Sequence, residues 1–432
     1  MRVYMQLQKE LEKKNISKNA VIRKTGIDRS TFYQIMSGKR MATSDQLIRI
    51  LDSIGVDPGE RFELLSEYER EKADEKAYQS RTNVRNFINQ LAAGPDLSKE
   101  KESSCPEQIR SAIQEAAASG NGLLQIFLPA TLMIRTGIYG EMMHAAKNRR
   151  LVVEYLSAFS DEEDDDAIIF ENIAECLHCY REENLEIRMY HLDGVLIPSS
   201  GVPFPYYIIT ENHLLLISAD AEEVIDVSDT EQRNYYCRFF GEQLEKAEPL
   251  IAFNRNEKEM LERLRGEHAA AVQSGQKIYL ITPQPCAMLT VTLDQLMMYW
   301  NDERIAGYWK LMNAMNAHEF TSPSGITRFL KSQMIVETGL NIPIRKEDMH
   351  LLREDIDKRL GKSLFLLNDD NIHMSEYWEM MIIDKEKVLF APFYEGRFLI
   401  SVSYDRIVEA LADWCESRMQ VANVDVMQNS RQ

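Results

Sequence analysis

Between residues 17 and 40 the chain sets Arg29, Ser30, Tyr33, Gln34 and Ser37 at helical spacing and follows them with Lys39 and Arg40. A guanidinium or a carboxamide can make paired hydrogen bonds to base edges, hydroxyls can bond bases or phosphates, and cations neutralise phosphates. Such a face suits the major groove of double-stranded DNA. Arg29, Ser30 and Gln34 are expected at the bases, and Lys18, Lys39 and Arg40 at phosphates. Thr31, Tyr33 and Ser37 are the remaining polar positions of the same face. Two short helices must hold it. Ser17 can cap the first, whose apolar residues are Ala20, Val21 and Ile22. Gly26 gives the turn its backbone freedom, Ile27 plugs the corner, and Asp28 can cap the second helix. Phe32 and Ile35 then point inward, and Gly38 ends the helix.

This stretch resembles the Cro/C1-type helix-turn-helix of the xenobiotic-response-element-like family of bacterial and phage repressors. The resemblance runs from about residue 4 to about residue 60. It takes in an opening helix (Met5, Leu7, Leu11), the core TGIDRSTFYQIMSGKR and a closing helix SDQLIRILDSIGV. It implies a small all-α DNA-binding domain. The family often has Gln just after the cap of its second helix, where this chain has Lys18. A phosphate contact fits that change and a specific amide bridge does not. The plainer alternative is a helical bundle used only for protein contact. Packing alone, however, does not require Arg29, Gln34, Lys39 and Arg40 on one exposed face.

Charge separates this segment from the rest. The 432-residue chain has a formal charge of −18, yet residues 1 to 61 hold 12 Lys and Arg against 7 Asp and Glu. A basic head on an acidic body is the split expected of a DNA-binding module joined to one that does not bind DNA. The acidic body should keep non-specific DNA affinity modest. Six scattered cysteines fit free thiols in a reducing cytoplasm, and no apolar run approaches the ~20 residues of a membrane span. The first residues, MRVYMQLQKELEKK, are charged and helix-forming, which argues against a secretory signal.

The chain divides into a head (1–61), a connector helix and linker (62–106), a first α/β unit (107–250), a bridging helix (251–276) and a second α/β unit (277–432). From residue 107 onward, short apolar runs such as LLQIFLP and RRLVVEYLSA alternate with helical stretches, as in a parallel or mixed sheet covered on both faces. The pattern recurs: Ile225-Asp226-Val227-Ser228 lies 175 residues before Ile400-Ser401-Val402-Ser403. The expectation is two similar units packed side by side across a cleft. An insertion in the second unit is expected within residues 317–342. This order of elements resembles a duplicated phospholipase D-like fold. The active family needs a His-x-Lys-x4-Asp signature at the first hairpin strand, and neither YYIITENHLLL nor YWEMMIIDKEKVLF has it. The resemblance therefore implies a catalytically degenerate unit that binds an effector.

Other chemistry reads more plainly. Cys176 and Cys179 have CxxC spacing but no second ligand pair, which fits two buried thiols on a helix better than zinc. The acidic run Asp161–Asp166 precedes a helix, where anions favour the dipole. There is no GxxxxGK[ST] and no GxGxxG, so no cofactor is expected. Thr321-Ser322-Pro323-Ser324-Gly325 could cradle an anion at a helix start beside Arg328, although an ordinary cap explains it equally. His191 and His373 sit in corresponding loops, His191–Tyr206 and Asn368–Tyr377, where an effector could bridge the halves. The reading is a sequence-specific transcriptional regulator with a ligand-sensing, homodimeric body that has no catalytic residue and binds no metal. Tyr68, Phe87, Tyr235, Tyr236, Phe239 and Phe240 are offered as the dimer surface. The alternative is a hydrolase or nucleotide-processing enzyme that the head localises or autoregulates.

Overall fold

The computed structural model describes the chain except residues 1, 58–59, 62–63, 66, 69–70, 72–74, 95–104, 159–164, 193–201, 255, 300–302, 338–339, 368–371, 394–397 and 430–432. The head includes the helices α1 (Arg2–Lys13), α2 (Lys18–Thr25), α3 (Arg29–Met36) and α4 (Ser44–Ile54). Their starts are fixed by side chains. Ser17 accepts the Ala20 N–H, the Asp28 carboxylate accepts those of Ser30 and Thr31, and Thr43 and Gln46 cap α4 reciprocally. Leu7, Val21, Phe32, Leu47, Ile50 and Leu51 are wholly buried at the centre. Tyr68 completes this core from beyond residue 61 and donates its hydroxyl to the Ala42 carbonyl at 3.0 Å.

The connector proper is α5 (Glu75–Ala93), and it belongs to the body. Val84, Phe87, Ile88 and Leu91 enter the body's core. In chain order the body continues with α6 (Glu107–Ala118), β1 (Leu123–Phe127), α7 (Ala130–Arg135), α8 (Ile138–Ala146), β2 (Leu151–Ala158), α9 (Asp165–Cys179), β3 (Leu185–Leu192), β4 (Tyr206–Ile209), β5 (Leu214–Ile217), β6 (Val224–Asp226), α10 (Thr230–Leu244) and β7 (Glu248–Asn254). After α11 (Glu257–Ser274) come β8 (Lys277–Ile281), α12 (Ala287–Thr290), α13 (Leu293–Tyr299), α14 (Glu303–Ala314), β9 (Asn316–Thr321), α15 (Pro323–Ser332), β10 (Met334–Glu337) and β11 (Leu340–Pro343). The chain closes with α16 (Met349–Arg359), β12 (Leu364–Leu366), β13 (Trp378–Ile383), β14 (Lys387–Pro392), β15 (Leu399–Val402) and α17 (Asp405–Asn429).

Among the described residues thirteen strands form one sheet in the order β12-β9-β8-β13-β14-β15-β7-β3-β2-β1-β4-β5-β6. In its first half β1, β2 and β3 are parallel, and β4, β5 and β6 follow antiparallel from β1. In its second half β8, β9 and β12 are parallel, and β13, β14 and β15 follow antiparallel from β8. The spatial order third, second, first, fourth, fifth, sixth thus occurs in both. The apolar runs are continuous because both faces are covered. On β13, Trp378, Met380 and Ile382 join the core shared with α5 and α17, whereas Met381 and Ile383 join the core under α11 to α16.

Three expectations need correction. Residues 251–276 are not only a bridging helix, because β7 precedes α11 and pairs antiparallel with both β3 and β15. It joins the side-by-side halves edge to edge into one continuous sheet. The segment 317–342 is not simply an insertion, since it contains β9 of the sheet. The second half's extra elements are divided between α12–α14 before β9 and the β10–β11 hairpin after it. Third, Tyr68, Phe87 and Phe240 are core residues at 4%, 1% and 0% exposure and offer no surface. Tyr235 and Phe239 do remain exposed, at 57% and 38%, with their rings stacked 6.4 Å apart on α10.

Head and body touch through helices, with α4 packing on α17. Within the body, Arg81 of α5 pairs with Asp413 of α17 at 2.9 Å. At the far edge of the sheet His213 stands between Asp226 (2.7 Å) and Glu115 (2.9 Å). Partial burial works against the imidazolium, but the hydrogen bonds to the two carboxylates outweigh it and raise the His213 pKa. A raised folded pKa gives stability that is full below the ordinary histidine value of about 6.5 and is lost as pH rises through the folded value. The melting temperature of the protein should therefore exceed that of His213→Ala below pH 6, and the gap should narrow above pH 8. A gap that widened with pH in thermal melts would contradict this account.

Candidate nucleic-acid interface and body cavity

The face read from the sequence is assembled in the head. Phe32, Ile35 and Met36 of α3 are buried, which leaves Arg29, Ser30, Tyr33, Gln34 and Ser37 exposed, with Thr31 half-buried in the first turn. The turn before α3 runs through Gly26 at φ +65°, a left-handed conformation that suits glycine. Behind it Ile27 is buried and donates its N–H to Thr25 Oγ1. The Arg29 guanidinium lies 5.9 Å from the Tyr33 ring centre. At the exit Gly38 has φ +69°, and a Cβ there would lie 2.6 Å from the Tyr4 ring. Only glycine fits, and the chain then folds back so that the N–H groups of Lys39 and Arg40 both bond the Gln34 carbonyl, at 3.0 and 3.2 Å. Both cations are thereby held at the end of α3. Gln8 of α1 supports that end by donating to the Met36 carbonyl at 2.7 Å.

Ion pairing sharpens the polarity of the head. Lys13, Lys14, Arg49 and Arg61 are neutralised by Glu60, Asp57, Asp45 and Asp52. Lys18, Arg29, Lys39 and Arg40 are exposed and make no ion pair among the described residues. Uncompensated positive charge is therefore concentrated on α2 and α3. Arg23 of α2 is likewise exposed, a position that the sequence reading does not single out.

In the body Ser324, Arg328 and His373 come together, but His191 does not join them. The first three line a cavity of about 180 Å³ with Pro283, Ser322 and Glu376, at the carboxyl ends of β8 and β9 within the second half. His191 is buried beneath Tyr404, with ring centres 4.9 Å apart. This cavity therefore takes its described lining from the second half alone. Residues 193–201 and 368–371 of the two expected loops lie outside the described residues. Ser322 caps α15 by accepting the Gly325 N–H at 2.9 Å. Gly325 itself admits no side chain, since a Cβ would lie 2.4 Å from the Pro283 carbonyl oxygen. Arg328 pairs with Glu376 at 2.7 Å. No local signal in the sequence points to Glu376. The loop that carries Pro283 is anchored by Glu319, fully buried on β9, which pairs with Arg359 at 2.6 Å and accepts the Thr282 hydroxyl at 3.0 Å and the Cys286 N–H.

Residues 6–65 match the family described as the Cro/C1-type HTH DNA-binding domain. The head is a Cro/C1-type DNA-binding domain. Its family membership covers that segment alone, and no curated protein matches the chain. Among solved structures, polyphosphate kinase from Porphyromonas gingivalis aligns at 12% identity over 75% of this chain, with a TM-score of 0.23. The chain spans about half of that kinase, 53% of its length. The Cro/C1-type domain ties a DNA-binding role to the head, and behind it lies a mixed α/β body.

Other candidate chemistry is structural in this body. Cys176 and Cys179 are fully buried, and burial pushes the Cys176 thiol up to about 12 beside the Tyr139 hydroxyl at 3.3 Å. His178, lowered to about 4 by burial, has Nε2 3.2 Å from the Gln90 carbonyl and so ties α9 to α5. Asp166 pairs with Arg406, and Asp161–Asp164 lie outside the described residues. Among the described residues no group of three or more His, Cys, Asp or Glu could hold a metal, and no helix is long and apolar enough to cross a membrane.

Proposed function

We propose that the protein is a sequence-specific DNA-binding transcriptional regulator whose body senses a ligand, works without catalytic turnover and pairs two copies. The observation that carries this reading is the set of exposed, unpaired cations around α3 in a Cro/C1-type domain. One such module touches few base pairs, and useful specificity normally requires two half-sites about one helical turn apart. The stacked, exposed Tyr235 and Phe239 on α10 support a dimer surface on the body. We read the body as two copies of one α/β unit of phospholipase D-like type. The support is the repeated strand order, together with hairpins β4–β5 and β13–β14 that lack the catalytic His and Lys pattern.

The test is on DNA. Arg29→Ala or Gln34→Ala should each cost about 1–3 kcal/mol at a selected operator and alter sequence preference. Lys39→Ala should instead weaken all sequences alike and flatten the salt dependence. Fluorescence anisotropy at several salt concentrations separates the two behaviours. An Arg29→Ala protein with unchanged operator affinity would remove α3 from the recognition role.

A further inference from the structure

We propose that the cavity at the start of α15 binds a small oxyanion, which takes Arg328 away from Glu376. This deepens the ligand-sensing reading above and rests on it for its consequence at the head. Arg328 lines the cavity with its Nη1 buried and making no hydrogen bond among the described residues, while Nη2 holds Glu376. A guanidinium used on one nitrogen retains the fork that grips a carboxylate or phosphate through two parallel bonds. Gln284, next to the lining Pro283, is 1% exposed, and neither of its amide atoms has a hydrogen-bond partner among the described residues. Buried polar groups are nearly always satisfied, so Gln284 holds unspent bonding capacity in the loop that carries Pro283. Ser322 and Ser324 add hydroxyls 2.8 Å apart at the positive end of the α15 dipole. Lys331 lies in the adjoining open recess with Arg328. The carboxylate in the lining, Glu376, has 73% side-chain exposure and already spends its charge on Arg328. The lining offers a cation a carboxylate already paired with Arg328, whereas an anion would find an exchangeable partner, since exposed ion pairs are weak.

The exchange has a route to the head. Glu376 belongs to the segment 372–377, whose His373 N–H donates to Asn89 on α5 at 2.8 Å. In the same segment the Tyr377 ring lies 4.4 Å from the Arg181 guanidinium. Freeing Glu376 loosens this segment from α5, the helix that leads from the head. An anion shifts the arrangement of head and body only as far as it binds one arrangement more tightly.

The experiment is calorimetric titration of the full chain with inorganic phosphate and, separately, acetate, at constant ionic strength. The wild type should bind at least one of them, and Arg328→Gln should weaken that binding at least tenfold. Glu376→Gln should tighten it several-fold, because the internal competitor is gone. Binding of phosphate alone assigns a phosphoryl ligand, of acetate alone a carboxylate, and of both the oxyanion as such. If neither binds the wild type or Glu376→Gln, or if Glu376→Gln weakens binding, the site is overturned whatever the DNA affinity. If the anion binds as expected but operator affinity is the same with and without it, the site stands and the sensing reading falls.

Discussion

Phe32→Ala should abolish operator binding while leaving the body folded. Phe32 is fully buried at the middle of the head's core, where α3 meets α1 and α4. Truncating a buried Phe costs about 3–5 kcal/mol, through lost transfer energy and the cavity left behind. A head of this size has little more than that to lose, given about 0.05–0.15 kcal/mol per residue. No residue of the DNA face is altered, so lost binding would report the scaffold that holds Arg29 and Gln34. Scanning calorimetry should show the head's transition moved below room temperature and the body's transition unmoved. Light scattering at micromolar concentration should still give a dimer, because the proposed contact lies on α10 of the body. A variant that kept tight operator binding would mean that α3 is held by something other than this core. A wild-type monomer would dispose of the dimer.

Glu319→Ala should destabilise the second half of the body by about 3–5 kcal/mol. The carboxylate has no exposure, and its partner Arg359 is only 14% exposed. Removing the anion leaves a guanidinium with much of its solvation already lost, still bonded to Thr290 Oγ1 at 2.8 Å. The Thr282 hydroxyl and the Cys286 N–H lose their acceptor at the same time. The double variant Glu319→Leu/Arg359→Met should recover much of the loss, because replacing both ions removes the desolvation penalty along with the attraction. Urea unfolding of the single and double variants gives the coupling. A single-variant cost under about 1 kcal/mol would show that water reaches the pair. Since Pro283 stands in the loop that this network anchors, the anion response should weaken in Glu319→Ala as well.

The head was legible because its signals are local. Ser17, Gly26, Asp28 and Gly38 act on their own turns, and each does in the fold what its residue type requires. The apolar spacing of Phe32 and Ile35 sets which side faces out, and the exposed polar set follows from it. In the body the strands and crossover helices were legible for a similar reason, since unbroken apolar runs mark strands covered on both faces. β7 was not read, because PLIAF follows directly on a helix and its strand identity comes from β3 and β15 on either side.

Sequence alone determined the caps, the turn glycines, the polar face of α3 and the alternation of strands and helices, since these depend on contacts within a few residues. Tertiary structure decided what each repeated piece became. Ile225 and Ile400 occupy equivalent places in nearly the same tetrad, yet Ile225 is 45% exposed and Ile400 wholly buried. Their surroundings differ: β6 ends the sheet, whereas β15 lies inside it, paired by β7, and Ile400 joins the core. In the same way Ser324, Arg328 and His373 became one cavity and His191 a core residue. Distances between loops are set by how strands order in the sheet, and nothing local to a histidine records that order.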